Sequence, residues 1–326
     1  MPTNVFYPLY SLILNDIEFG ADVEIPYCIG QDWIIRRADG IYQSDFRHHV
    51  ANHVNRGSPA EMPIPYELCA QFPRTSGGVK LISIPQKDFR YTIIEPVEQN
   101  NNDYETHFEE TLRLCSSDLW IGLMCHTVGR NDTELAPRQI VVTTTLCNVF
   151  YGSYNLYKPP QILTSKHLLE IDEISKLRSG FNETKFRSIV KSIKNFLAGD
   201  LLPSQKHRDL NTFSVLEGIL SHAPVPTDTY DSIRKQLARN VILLNNRASP
   251  EHQIEYDGKE MAKILNEMYS YRSAIAHGGD VEKSLKEIVK RLKNKEDGAA
   301  SELLRRILKM VLIQALKEPK LVTDLK

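Results

Sequence analysis

The chain has 326 residues, 41% hydrophobic and 25% charged, with a formal net charge of −1. That balance excludes disordered, fibrous and strongly basic chains and leaves room for two domains, each with its own core. Five Cys (Cys28, Cys69, Cys115, Cys125, Cys147) are odd in number, scattered and confined to the first half. They suit the reduced thiols of a cytoplasmic protein better than a disulfide framework. The first residues lack a basic stretch leading into an apolar core, so no signal peptide is expected. No apolar run approaches the roughly 18 residues of a membrane span.

The first half alternates short β-like runs with turns. Val23–Ile25, Trp33–Ile35, Val79–Ile84, Phe89–Ile94 and Gln139–Leu146 read as strands. Ser76–Gly78 and the polar run Gln99–Asp103 supply turn signals between them. Helices are expected near Gln43–Val54 and Thr106–Cys115. Residues 1–165 therefore read as a β-rich or α+β domain, whose role (sensing, regulatory or substrate-binding) the pattern leaves unassigned. Pro159-Pro160 offers a stiff joint. Beyond it, apolar residues recur at helical spacing over Ser165–Arg178, Glu183–Leu197, Asn211–Ser221, Thr229–Asn245, Gly258–His277, Val281–Lys293 and Ala300–Leu316. Residues 166–326 are thus predicted to be an all-α domain, and the whole chain to be α+β. In the last of those helices Leu303, Leu304, Ile307, Leu308, Val311, Leu312 and Leu316 form one stripe, fit for a core or for a partner.

The most informative segment is Tyr269-Ser270-Tyr271-Arg272-Ser273-Ala274-Ile275-Ala276-His277-Gly278-Gly279. It reads as a helix end, with glycine providing the positive φ of a C-terminal cap. Arg272 offers a permanent planar cation suited to phosphate, and His277 a group that moves protons near neutral pH. Five positions correspond to roughly 140° around an ideal helix. The two would cooperate within one chain only if the helix loosened at Ala276-His277.

Arg-x-x-x-x-His-Gly after an apolar, Tyr-containing helix resembles the signature of HEPN domains, and more closely the ApeA-like subgroup with its Tyr-x-x-Arg-Ser-x-Ile-x-His-Gly pattern. Upstream, Thr212–Leu220 resembles the family's Ala-Leu-Glu-x-Leu-Leu helix and Leu237–Leu244 its Arg-x-Ala-x-Leu-Leu helix. The resemblance covers roughly residues 181–320. It implies a HEPN-like helical bundle and a metal-independent endoribonuclease, a toxic effector of prokaryotic antiviral defence or stress response. It also implies a homodimer through the helical domain, with two motifs facing one cleft, and a regulatory or trigger partner that restrains the toxicity. RNA would be cut by transesterification. His277 would serve as acid or base and Arg272 would stabilise the phosphate charge. Only a substrate with a 2′-hydroxyl could react this way. Ser273, directly after the Arg, is typical of the ApeA-like subgroup.

Around this pair, Glu217 lies among apolar neighbours and needs a cation or hydroxyl partner, for which Arg272 and Arg239 are the candidates. Tyr269 reads as a core residue close to the site. Lys283, Lys286, Lys290 and Arg291 follow the His in a basic helix that could receive RNA phosphates or simply be a solvated face with pairs such as Glu282–Lys286. Metal and cofactor chemistry finds little support. Cys115, Cys125-His126 and Cys147 lack zinc-finger spacing, His48-His49 with His53 has no Glu within it, and no Gly-rich phosphate loop is present. The competing reading is a non-catalytic dimerisation or scaffold module.

Overall fold

A computed structural model of the protein describes residues 3–11, 18–38, 68–71, 80–83, 92–97, 104–117, 119–121, 124–128, 140–141, 162–200, 202, 204–224, 232–293, 295–296 and 298–325. The fold is α+β and the chain divides into two compact units, Met1–Lys176 and Leu177–Lys326.

The first unit is built on an antiparallel sheet. Its strands are β1 (Thr3–Ser11), β3 (Tyr27–Ile29), β4 (Trp33–Arg37), β7 (Thr92–Pro96), β8 (Leu119–Ile121), β9 (Met124–Val128) and β10 (Ile140–Val141). They run in the order β10-β9-β1-β7-β4-β3, with β8 also paired to β1. Two small ribbons complete the strands: β2 (Glu18–Phe19) parallel to β11 (Ile162–Leu163), and β5 (Leu68–Gln71) antiparallel to β6 (Lys80–Ser83). The period-2 pattern of β4 explains its placement, since Trp33 and Ile35 are buried while Ile34 and Arg36 are half-exposed. Arg36 pairs with Glu95 on the neighbouring β7, Nε to Oε1 2.7 Å. Helix α1 (Tyr104–Leu114) buries Phe108 and Leu112, and the Phe108 ring stacks tilted on Trp33 at 4.7 Å.

Helix α2 (Ser165–Ser179) begins in this unit, not at the head of the helical one. Ser165 N–H and hydroxyl donate to Asp22, Ser116 donates to Glu170, and Gly30 N–H donates to Asp172 Oδ1 at 2.7 Å. These bonds tie its first turns to the strands.

Several expectations for this half need correction. Val23–Ile25 is not a strand: the chain turns there, Val23 N–H bonding the Gly20 carbonyl at 3.1 Å, and the extended segment starts after Pro26. Of the expected strand Phe89–Ile94 only Thr92–Ile94 is described, and it belongs to a strand that runs on to Pro96. Of Gln139–Leu146 only Ile140–Val141 is described, as a strand. The expected helix Gln43–Val54, with His48, His49 and His53, and the Pro159-Pro160 joint lie outside the described residues.

The second unit contains α3 (Arg187–Asp200), α4 (Gln205–Leu220), α5 (Ile233–Arg247), α6 (Gly258–His277), α7 (Val281–Arg291), α8 (Ala299–Lys317) and α9 (Pro319–Asp324). Capping residues set several starts. Ser204, Ser232, Asp257 and Asp280 each accept a backbone N–H three positions on. The Ser204 cap brings α4 in earlier than the expected Asn211. A turn over 183–186 delays α3 from the expected Glu183 to Arg187.

Helix α8 packs against α3, α4, α5 and α7 and is the centre of the unit. Leu303, Leu304, Ile307, Leu308, Val311, Leu312 and Leu316 are all buried in it. Each such side chain stabilises the fold by about 1.5–3 kcal/mol, an upper figure. The stripe is therefore an intramolecular core and leaves no apolar surface for a partner. Among the described residues no helix is long and apolar enough to cross a membrane.

Candidate functional site at the end of α6

Helix α6 is fixed at both ends. The Asp257 carboxylate caps its start by accepting Glu260 N–H at 2.9 Å. At the other end Gly278 adopts φ 73°, and the N–H groups of Gly278 and Gly279 both reach the Ala274 carbonyl. A left-handed residue at this place favours glycine. Met261, Ile264, Leu265, Met268 and Tyr271 form the buried face. Arg272 follows the last of these and emerges at the rim of the core.

Its guanidinium meets Glu217 on α4. Arg272 Nη2 donates to Glu217 Oε2 at 3.1 Å, and Nε lies 3.0 Å from Oε1. The second contact is an ion-pair approach, off line for a hydrogen bond. The pairing is side-on, using the Nε and Nη2 edge. Nη1 has no partner among the described residues. Both side chains are half-buried, with 24% and 17% exposure. Of the two cations expected to answer Glu217, the structure selects Arg272. Arg239 is exposed and donates instead to Asn240 Oδ1 at 3.2 Å.

Tyr269 joins the cluster at its edge. The Arg272 Cζ sits 5.8 Å from its ring centroid, within cation–π range. Burial pushes the Tyr269 phenol above its ordinary pKa, the Glu217 charge adds to that, and the Arg272 and Arg234 charges draw it partly back. Ser273 is half-buried and takes no part in the ion pair.

His277 is the last residue of α6 and is exposed. Its ring engages no partner among the described residues, and the backbone N–H groups of the two glycines do the capping. The helix does not loosen before His277, contrary to the condition for cooperation within one chain. Continuous α-geometry separates the Cα atoms of Arg272 and His277 by about 7.5 Å along the axis and about 140° around it. Arg272 is turned to α4 and the two side chains leave different sides of the helix.

The basic helix α7 is largely solvated. Lys290 pairs with Glu287 at 2.6 Å, and Arg291 with Glu267 at 3.3 Å. Lys283 and Lys286 are exposed and outside any ion pair among the described residues, so the expected Glu282–Lys286 pair is not formed.

One polar cluster escaped the sequence reading. Asp209 on α4 is only 2% exposed, yet it carries a carboxylate. Tyr271 hydroxyl donates to its Oδ2 at 2.8 Å, Ser301 hydroxyl to the same oxygen at 2.7 Å, and Gln205 Nε2 to Oδ1 at 2.8 Å. Three neutral donors thus replace its water, and no cation reaches it among the described residues. Burial, then the Asp209 charge, pushes the Tyr271 phenol far above its ordinary pKa. The bonds pin α4, α6 and α8 together one residue before Arg272. Asp209 stands one helical turn before Phe213 on the same buried side, the logic that singled out Glu217 and a sufficient signal for it too. The chain matches no protein-family profile, no curated protein and no solved structure.

Proposed function

We propose that the chain is a metal-independent endoribonuclease of the HEPN type. The observation that carries this reading is that Arg272 is held but not used up, while His277 stands exposed and unengaged at the end of the same helix. Glu217 fixes one edge of the guanidinium and leaves the end-on donors for a phosphate. In the reaction the RNA 2′-hydroxyl attacks the adjacent phosphorus. The O2′–P bond forms as P–O5′ breaks, giving a 2′,3′-cyclic phosphate and a 5′-hydroxyl. A base removes the 2′-proton, an acid protonates the leaving O5′, and Arg272 offsets the charge building on the phosphoryl oxygens.

Because the two groups leave different sides of α6, the acting unit pairs two copies, one chain's His277 meeting the partner's phosphate-bound Arg272. Such a dimer must use surfaces other than the α8 stripe, which the core consumes. An unrestrained activity of this kind would be toxic, which suits an effector of prokaryotic antiviral defence or stress response held in check by the N-terminal unit or by a regulatory partner. The second reading is a non-catalytic scaffold or dimerisation module. It draws on the same ion pair, since Glu217 and Arg272 neutralise each other without a ligand.

Purified protein incubated with total RNA in EDTA, beside the Arg272→Ala/His277→Ala double variant, separates the two. The expected result is chelator-insensitive cutting of RNA but not DNA, with cyclic-phosphate ends, absent in the variant. Products bearing 5′-phosphates, or cutting lost in EDTA, reject the mechanism, and cutting by neither protein favours the scaffold.

A further inference from the structure

The cations that the sequence offered to RNA lie on α7, where half of them are already paired with acids. Helix α3 is different. Arg187, Lys191 and Lys194 stand at i, i+4 and i+7, share one face, and are all exposed. None of the three is ion-paired among the described residues. The face holds no acid. Glu183, shortly before the helix, is taken by the buried Arg178 at 2.7 Å. No acidic residue occupies the first turn of α3, so Arg187 adds to the positive end of the helix dipole. Three like charges on one face with nothing opposite them repel one another, and an anionic partner relieves that.

A second observation says which kind of polyanion. Phe181 and Phe186 lie directly before the stripe, half-buried, with ring centroids 5.7 Å apart at 43°. Lys185 Nζ sits 5.4 Å from the centroid of the Phe186 ring. Aromatic rings heading a line of cations are the two parts of a single-strand site, one stacking on bases and the other following the phosphates. Ser188 and Asn195, both exposed, place small hydrogen-bonding groups along one flank of the cations, as at nucleic-acid backbones. An anionic membrane is disfavoured, because the apolar face of α3 (Ile189, Ile193, Phe196) is buried in the protein and cannot enter lipid.

The location also suits the proposed reaction. Helices α3 and α4 form an antiparallel hairpin, tied where Asn211 Nδ2 donates to the Asn195 carbonyl at 3.0 Å. The Arg187 end of α3 therefore lies towards the Glu217 end of α4. We propose that the exposed face of α3, with Phe181 and Phe186 at its head, is a docking track for single-stranded RNA. The track deepens the endoribonuclease reading by naming where the strand is held, and it rests on that reading for the choice of RNA.

The test measures binding rather than cutting. The full chain carrying His277→Ala is titrated with a labelled single-stranded RNA across a salt series. The same is done after adding Arg187→Gln/Lys191→Gln/Lys194→Gln, or Phe186→Leu, or Lys283→Gln/Lys286→Gln. The triple variant is expected to bind on the order of 10-fold or more weakly and to flatten the slope of log affinity against log salt by about 2, from three lost phosphate contacts. Phe186→Leu keeps the apolar packing and is expected to weaken binding with the salt slope unchanged. Far-UV circular dichroism should be the same for all.

An unchanged affinity and slope in the triple variant overturn the track, as does a loss equalled by the α7 variant. No RNA binding at all, or α3-dependent binding only to vesicles of phosphatidylserine and phosphatidylcholine, overturns it too. Binding that depends on α3 in a protein whose wild type never cuts RNA leaves the track standing and removes the nuclease.

Discussion

The ion pair between Glu217 and Arg272 is the contact on which the candidate site turns, and a double-mutant cycle weighs it. Fully exposed pairs contribute about 0.2–1 kcal/mol and breaking a fully buried one costs about 3–5 kcal/mol. At 24% and 17% exposure this pair lies between the two limits, and only one of its two contacts is an aligned hydrogen bond. A coupling of about 1–2 kcal/mol is expected between Glu217→Ala and Arg272→Ala. Each single variant strands a half-buried charge, so each should melt lower by roughly 2–8 °C, at about 2–4 °C per kcal/mol for a unit of this size. The double variant should lose less than the sum. Both Trp residues, Trp33 and Trp120, belong to the first unit. Tryptophan fluorescence therefore follows that unit, while the far-UV signal is dominated by the helices and follows the second. The shift is read in the far-UV transition of the helices. Additivity within about 0.3 kcal/mol would show that the two groups do not hold each other, and the argument that Glu217 orients Arg272 would fail.

His277→Ala is expected to abolish RNA cutting while changing stability by less than about 0.5 kcal/mol, because the exposed ring engages no partner among the described residues; an early melt would make it structural. Tyr271→Phe removes a donor from the buried Asp209 carboxylate and should destabilise the helical unit by about 1.5–3 kcal/mol, whereas an unchanged melt would mean the hydroxyl bond carries no net stability. The same variant has a signature with pH. The Tyr271 pKa is raised in the fold, so above the unfolded value of about 10 the native state holds a proton that the unfolded state has lost. Stability present below that pH is lost as pH rises, and a part of this alkaline loss should vanish in Tyr271→Phe; identical alkaline profiles would count against the assignment.

What could be read from the chain follows from how local its causes are. Helix α6 has a capping carboxylate at Asp257 and a left-handed glycine at Gly278, both adjacent in sequence to its ends, and its bounds were legible to the residue. Helix α4 starts earlier than its apolar pattern suggests because the Ser204 cap precedes a polar first turn, with its only early buried side chain the polar Asp209. Strand β1 was illegible for a different reason. Pro8 sits in its middle, opposite Ile93, and a proline argues against a strand paired on both sides. Pairing with β7, β8 and β9 comes from residues some 80 to 125 positions away, and no local signal reports it. The same limit applied at the site. Arg272, Glu217 and Tyr269 could be chosen as candidates from residue type and surroundings. Which of Arg272 and Arg239 answers Glu217 depended on the rotation of three packed helices.

The continuity of α6 up to His277 bears most directly on mechanism. A helix broken at Ala276 could have folded the imidazole back towards the guanidinium, and one chain would then have sufficed. The glycine cap instead falls after His277, which fixes the two groups about 140° apart. Under the proposed reaction, a phosphate held by Arg272 would be remote from the imidazole of the same chain, and a two-fold dimer that presents the partner's His277 would supply the missing proton carrier. The consequence is complementation. Arg272→Ala and His277→Ala are each expected to be inactive alone. In a mixed dimer one of the two composite sites keeps both an intact Arg and an intact His. With random exchange of subunits, roughly a quarter of wild-type activity should return at saturating RNA. Activity is measured after co-refolding or co-expression, with each variant alone as the baseline. No recovery from a mixture shown to contain mixed dimers would mean that Arg272 and His277 act within one chain, or not together at all. A wild-type monomer that cuts RNA at full rate would remove the need for the partner's imidazole.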